Sequence, residues 1–315
     1  MSSTKNLKNK NQKTSHDAVD RHNKKTKVQH NMKYDNKKVT KGNTLSVDKN
    51  PYLLPIIFTL AILPLIVRMH DYKTPLSHYA WFGDGDSGYF TDFFLYYKQW
   101  LFIAASFIMG FIILKKKKNT TQIFKSAPVF IPLGVYALFA LLSSVISKYR
   151  GFSFTGIYEQ FESIFAILGY CILVYYIYLF VQAEQDVAIL MKWLLISSLI
   201  LGLLGFSQLI HHDFFSTHIG TRLLTPPSYW GHPLQFCFNL VYLTFYNPNY
   251  VGFYVCLVLP IFFCLILLTK KSWLTLLYLL AAFGLLLSLY GSGSTAGFIG
   301  VCLGFLFLLA LLWRY

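Results

Sequence analysis

Charge is scarce in this sequence of 315 residues: Asp, Glu, Lys and Arg make up only 13%, against 55% hydrophobic residues, a third of them aromatic. That leaves too little polar surface to solvate a globule, so lipid must replace water over most of the chain. Cysteine is scarce too. Cys171, Cys237, Cys256, Cys264 and Cys302 form no C-x-x-C pair, and four of them lie in apolar runs, so they read as small packing residues rather than a metal or redox motif. The sequence has no Walker loop, no G-x-G-x-x-G loop, no metal-ligand constellation and no internal repeat. Soluble nucleotide chemistry therefore has no support, and no cofactor or metal is expected.

The charge that is present is unevenly placed. Of the formal +15, residues 1–50 carry 12 Lys and Arg21 against Asp17, Asp20, Asp35 and Asp48. With no apolar run, this segment cannot offset its ordering entropy, which predicts a disordered basic tail (1–50) ahead of a helical domain (51–315). It is too long and polar to begin a cleavable signal peptide. A polybasic segment beside a membrane sets topology and adheres to anionic lipid headgroups, a better fit than nucleic acid.

Eight apolar stretches follow, at about 52–69, 93–114, 129–146, 164–181, 187–210, 250–268, 273–290 and 295–313, each near the ~17 to 25 residues that span hydrocarbon as a helix. Open strands would leave backbone groups unpaired in lipid, and barrel strands are shorter and alternate, so helices are the remaining solution. The expected fold is an all-α polytopic transmembrane helical bundle of about eight spans. With the amino terminus inside, 22 of the 28 Lys and Arg fall on the inner side, as the positive-inside rule requires for a multi-pass protein of the cell membrane. The outer loops are then 70–92, 147–163, 211–249 and 291–294.

Two outer loops hold chemically suggestive residues. In Asp84-Gly85-Asp86-Ser87-Gly88 the paired carboxylates suit a divalent ion, but a calcium loop begun at Asp84 wants a bidentate Glu at its twelfth position, where Leu95 stands. A solvated turn is the simpler reading. The loop from His211 to Asn249, at ~39 residues, is far longer than an ordinary helix connection. It carries His211, His212, Asp213, His218, Arg222 and His232. Adjacent histidines point apart on any regular backbone, so a metal site is not implied. At its end Asn247 suits a helix N-cap and Pro248 the first helical position, and a helix start favours an anion. Gly293, Gly297, Gly300 and Gly304 make small-xxx-small pairs for close helix packing, and Gly202, Gly205, Pro55, Pro64 and Pro260 read as notches and kinks.

Thr244-Phe245-Tyr246-Asn247-Pro248-Asn249-Tyr250, at the outer end of a span, resembles the T-F-G-N-P-N-Y signature of the O-antigen ligase and polymerase family of membrane glycosyltransferases. Gly156-Ile157-Tyr158-Glu159-Gln160-Phe161-Glu162 is similar to that family's G-x-x-x-Q/R-x-E segment, and the run from Gly291 to Gly300 resembles its S-R-G-A-W-L-G segment. The resemblance covers about 130–310. Thr295 stands where the family often has Arg, and the family's further spans and histidine-bearing outer loop have no counterpart before Tyr315, so the resemblance implies a partial member.

What the resemblance implies is transfer or polymerisation of glycan from an undecaprenyl-diphosphate carrier to a glycan or lipid acceptor on the outer face. Such a reaction needs cations or N–H donors for the leaving diphosphate and a base for the acceptor hydroxyl. On that basis Arg222, Glu162 and His218 are the expected catalytic residues, with Arg150, Asn247, Asn249, Tyr250 and Ser294 binding substrate. Glu159 and the other loop histidines are further possible bases. Two other classes stay open: a transporter or flippase of lipid-linked sugars, which should carry ionisable residues deep in several spans, and a non-catalytic assembly partner.

Overall fold

The computed structural model describes residues 50–73, 89–116, 128, 130–157, 161–231, 234, 236 and 239–313. The basic tail, apart from Asn50, lies outside the described residues, as do the Asp84–Gly88 turn, Glu159, His232, Cys237 and Arg314.

The described chain is helical apart from one antiparallel ribbon. In order it forms α1 (Pro51–Leu65), β1 (His70–Lys73), β2 (Tyr89–Asp92), α2 (Tyr96–Lys115), α3 (Phe130–Ile146), α4 (Arg150–Thr155), α5 (Ile164–Phe180), α6 (Glu184–Leu209), α7 (His218–Leu224), α8 (Pro248–Leu268), α9 (Ser272–Ser292) and α10 (Thr295–Trp313). The ribbon pairs His70 with Asp92 and Lys73 with Tyr89.

Four helices, α2, α6, α8 and α9, are long and apolar enough to cross a membrane. Four is fewer than the eight spans expected from the sequence. The other four apolar stretches also fold as helices, α1, α3, α5 and α10, but are shorter in their apolar part. In α1 the shortfall has a visible cause: a 3-10 turn at each end and a π turn at Phe58–Ile62 replace regular helix. Pro64 lies in the last of these turns, where its missing N–H disfavours continuation.

The helices are apolar nearly all round, which places them in lipid or in a large core. Their outward faces expose large side chains, among them Leu114, Ile146, Leu203, Leu257 and Leu268, each more than two-thirds accessible. Apolar exposure on that scale is unfavourable in water.

Two apolar cores hold the helices together. One joins α6, α8, α9 and α10 around Leu201, Val255, Phe262 and Leu285; the other joins α1, α2, α5 and α6 around Leu53, Met109, Tyr176 and Ile189. Glycines set the closest approaches. A Cβ on Gly202 of α6 would stand 3.2 Å from the Gly284 Cα of α9, and one on Gly297 of α10 only 2.5 Å from the Gly252 Cα of α8. Gly300 and Gly304 likewise face Cys256 and Pro260, so the small-residue pattern packs helices as expected. Gly293 differs: it ends α9 in the left-handed region at φ +63, the usual place for a C-terminal glycine.

At the opposite end of the bundle, Asn50 donates to the Phe180 carbonyl (3.2 Å) and to the Asp186 carboxylate (3.1 Å), fastening the start of α1 to the α5–α6 turn. Asp186 also accepts from the Ala183 and Gln182 amides at the start of α6.

The long segment between α6 and α8 is folded rather than loose. A third core of Val67, Phe94, Phe215, Leu224 and Tyr242 packs it against the chain flanking the ribbon. Met69 donates its amide to the Leu224 carbonyl and Arg68 its guanidinium to the Leu223 carbonyl, both at 2.9 Å.

Candidate functional site

The run Val241–Tyr250 is held from four directions. Gln208, at the end of α6, accepts from the Tyr242 (3.1 Å) and Leu243 (2.8 Å) amides and donates to the Leu243 carbonyl (3.2 Å). These bonds hold Leu243 at φ +54, an unfavourable region for a branched side chain. The Val241 amide donates to the Gly291 carbonyl (2.9 Å), and the Thr244 hydroxyl to the Pro64 carbonyl (2.6 Å). The fourth tie is the Lys98 ammonium, which donates to the Thr244 carbonyl and lies 5.1 Å from the Phe245 ring centre. Asn247 then caps α8, its side chain accepting from the Asn249 amide at 2.9 Å, with Pro248 in the first turn. The cap expected from the sequence is thus present.

A cleft of about 470 Å³ opens between α1, α2, the approach to α5 and the start of α8, within the usual range for a small-molecule site. Lys98, Gln99, Glu162 and Tyr250 supply its polar end; Ile56, Leu60, Leu173 and Ile177 supply an apolar one. Topology explains the division. Lys98 and Tyr250 sit in the first turns of α2 and α8, Glu162 just precedes α5, and Leu63 is near the end of α1, so four helix termini meet at one end of the bundle.

The Gln99 side chain is 8% exposed; its Nε2 donates to the Ser163 hydroxyl at 2.8 Å, and its Oε1 has no hydrogen-bond partner. Asp92 is also buried, but its carboxylate is engaged in capping α2, accepting from the Leu95 (2.9 Å) and Tyr96 (2.8 Å) amides. Beside the cleft, Phe161 packs edge-on to Tyr96 (5.7 Å) and Tyr72 (5.4 Å), and His70 stacks on Tyr96 at 3.5 Å. Burial pushes the His70 imidazole below its ordinary pKa, against the opposing pull of Asp92 and Asp71.

Of the residues expected from the sequence, the cleft gathers Glu162 and Tyr250. Arg222 and His218 lie on α7 and do not line it; the Arg222 guanidinium sits 5.5 Å from the Trp230 ring centre. Arg150 begins α4, exposed. Ser294 is buried and accepts from the Gly297 amide at 3.2 Å, as the cap of α10 against Gly252.

A second, smaller cavity of about 210 Å³ is lined by Gln208, His211, Asp213, Ser216, Phe236, Leu240 and Tyr242. Its Asp213 is already committed, accepting from the Phe215 amide (3.0 Å) and the Tyr242 hydroxyl. Burial, and then that carboxylate, hold the Tyr242 phenol well above its usual pKa. Among the described residues no cluster of His, Cys, Asp and Glu could hold a metal ion.

The sequence alone does not single out Lys98 or Gln99: with the amino terminus inside, Lys98 is one of the six Lys and Arg left on the outer side. The signal was its position, a lysine three residues into a helix that otherwise meets the criteria of a span. An ionisable side chain so placed needs a partner and marks a functional position by default.

No protein-family model, curated protein or solved structure matches this chain.

Proposed function

We propose that the protein is a polytopic membrane glycosyltransferase of cell-surface polysaccharide assembly. In this reading all eight apolar helices lie in the bilayer, the amino terminus faces the cytoplasm with its basic segment on anionic lipid, and the cleft's polar end opens at the outer surface. The carrying observation is that one cleft joins Glu162 of the G-x-x-x-Q-x-E-like segment to Tyr250 of the T-F-Y-N-P-N-Y segment, with the Lys98 ammonium between helices beside them. These segments resemble the O-antigen ligase and polymerase family and are far apart in sequence, so their meeting at a cation-bearing cleft supports the resemblance.

The chemistry follows from the charges. An acceptor hydroxyl attacks the anomeric carbon of a glycan carried on undecaprenyl diphosphate. The new carbon–oxygen bond forms as the bond to the diphosphate oxygen breaks, the electron pair leaving on the diphosphate and the hydroxyl proton passing to the Glu162 carboxylate. Lys98 stabilises the departing charge, in surroundings where a cation acts more strongly than in water. Arg222 and His218 on α7, with Arg150, contact the glycan or phosphate from outside the cleft, and Asn247 and Asn249 at the start of α8 offer their side-chain amide N–H groups to the substrate.

A flippase is less well supported, since α8 and α9 carry no Asp, Glu, Lys, His or Arg, where ion-coupled transport needs them in several spans. The test is complementation of a deletion strain with Glu162→Gln and Lys98→Met, scored by surface glycan length and yield at matched membrane levels. Both variants are expected to lose most of the polymer; wild-type glycan from both would sink the proposal.

A further inference from the structure

The charged groups of the cleft, Lys98 and Glu162, lie at one end, and its mainly apolar part has a direction. Ala166, Tyr170, Leu173 and Ile177 lie on one face of α5, and Ile56, Thr59, Leu60 and Leu63 on one face of α1. From Ala166 to Ile177 this lining runs about 17 Å, over half the ~30 Å depth of bilayer hydrocarbon. At its head stand an ammonium and a buried carboxamide whose oxygen lacks a partner. A buried acceptor left unpaired costs ~1 to 3 kcal/mol, so a ligand donating to it is favoured. Exchanging the amide's ends would leave its NH2 unpaired instead, so one end of Gln99 seeks a partner in either orientation.

We propose that this cleft holds the carrier lipid itself: the first units of a polyisoprenyl chain lie between α1 and α5, its phosphate meets Lys98, and a hydroxyl of the first attached sugar donates to Gln99 Oε1. This rests on the function proposed above and adds where the carrier lies and which residue reads its sugar. A soluble anion would leave the apolar length uncovered, and a neutral lipid would leave the ammonium only the Asp92 carboxylate, which already caps α2 by accepting from the Leu95 and Tyr96 amides. Glu162, the carboxylate lining the cleft, is solvent-accessible at its mouth, so it is hydrated rather than set against the phosphate.

The test uses the full chain in phosphatidylcholine nanodiscs, with bound undecaprenyl diphosphate counted by native mass spectrometry. Lys98→Met and Leu173→Trp, which fills the apolar length, should each lower occupancy at least tenfold, while Ile146→Trp on the exposed face of α3 should not. Ala166→Phe, a second filling variant, covers the case in which Leu173→Trp does not fold. Gln99→Met should bind the bare carrier as wild type does, yet lose tenfold toward lipid-linked glycan extracted from the protein's own cells. Millimolar inorganic diphosphate should not displace the carrier; displacement would assign the site to a soluble anion. Normal carrier binding by both the Lys98 variant and a folded filling variant overturns the inference while leaving glycan transfer intact. A wild-type chain that neither binds carrier nor transfers glycan defeats the function instead.

Discussion

Lys98 and Thr244 are 146 positions apart, and the ammonium of the first is hydrogen-bonded to the backbone carbonyl of the second. The bond ties the first turn of α2 to the run that begins α8, and uses one of three ammonium donors. Lys98→Met should therefore separate two roles. Loss of a charge-assisted bond is offset by no longer desolvating a cation, so stability should change by no more than about 2 kcal/mol. Glycan transfer should fall at least a hundredfold, through the barrier and not through expression. Thermal melting of purified protein alongside a transfer assay checks both halves, and a variant equally active and equally stable would remove Lys98 from the site.

Gln208 is the brace under the same run. Gln208→Leu strips partners from two buried amides and a buried carbonyl, at ~1 to 3 kcal/mol for each group orphaned. Leu243 would also be released from its left-handed conformation. We expect a melting temperature lower by ten degrees or more and lost transfer activity, whereas Gln208→Glu, which keeps the two accepted bonds, should lie between. A Leu variant melting within two degrees of wild type would contradict this assignment.

What could be read from the sequence was whatever leaves a long, repetitive trace. Every apolar run is a helix, the cap at Asn247 falls where its side chain and the following proline place it, and Gly297 of α10 meets the backbone of α8 at Gly252. The number of helices long enough to span was overstated, because apolarity does not reveal where a backbone tightens or breaks, as α1 does around Phe58–Ile62. Glu162 and Tyr250 were legible as motif members, but their meeting was not, since it depends on which helix ends converge. Gln99 left no trace: an amide inside an apolar run becomes informative only once its burial and its single partner, Ser163, are known.

The helix crossings make a graded prediction. A methyl group at Gly297 would come 2.5 Å from the Gly252 Cα, which is backbone and cannot step aside, whereas one at Gly304 would meet the Pro260 ring at 3.5 Å, ordinary contact. Gly297→Ala should cost more than about 2 kcal/mol through overpacking, and Gly304→Ala should be neutral or slightly stabilising through better helix propensity. Chemical denaturation in mixed micelles of the two variants side by side provides the comparison, and equal midpoints would mean that α8 and α10 do not cross at Gly252.

Topology is open to direct labelling. With the amino terminus inside, Ser228, on the segment between α7 and α8, faces the exterior. In a background with the native cysteines replaced by serine, Ser228→Cys should react with a membrane-impermeant maleimide added to whole cells, and Ser3→Cys should react only after lysis. Labelling of both positions from the same side would leave the proposed reaction without access to its lipid-linked substrate.

His70 gives a pH dependence whose sign is fixed by burial. Its pKa is lowered in the folded protein, by desolvation first and despite Asp92 and Asp71, so the unfolded chain binds the extra proton more readily. Stability from this residue is then fully present above the unfolded pKa of about 6.5 and is lost as pH falls through the lower folded value. The ring stacks on Tyr96, which packs against Phe161 in the wall of the cleft, so protonation should loosen the cleft's mouth before the helices part. Between pH 7.5 and 5.5 the wild-type melting temperature should fall further than that of His70→Phe, which keeps the stack without the titration. Identical shifts in the two proteins would place the acid sensitivity on some other group.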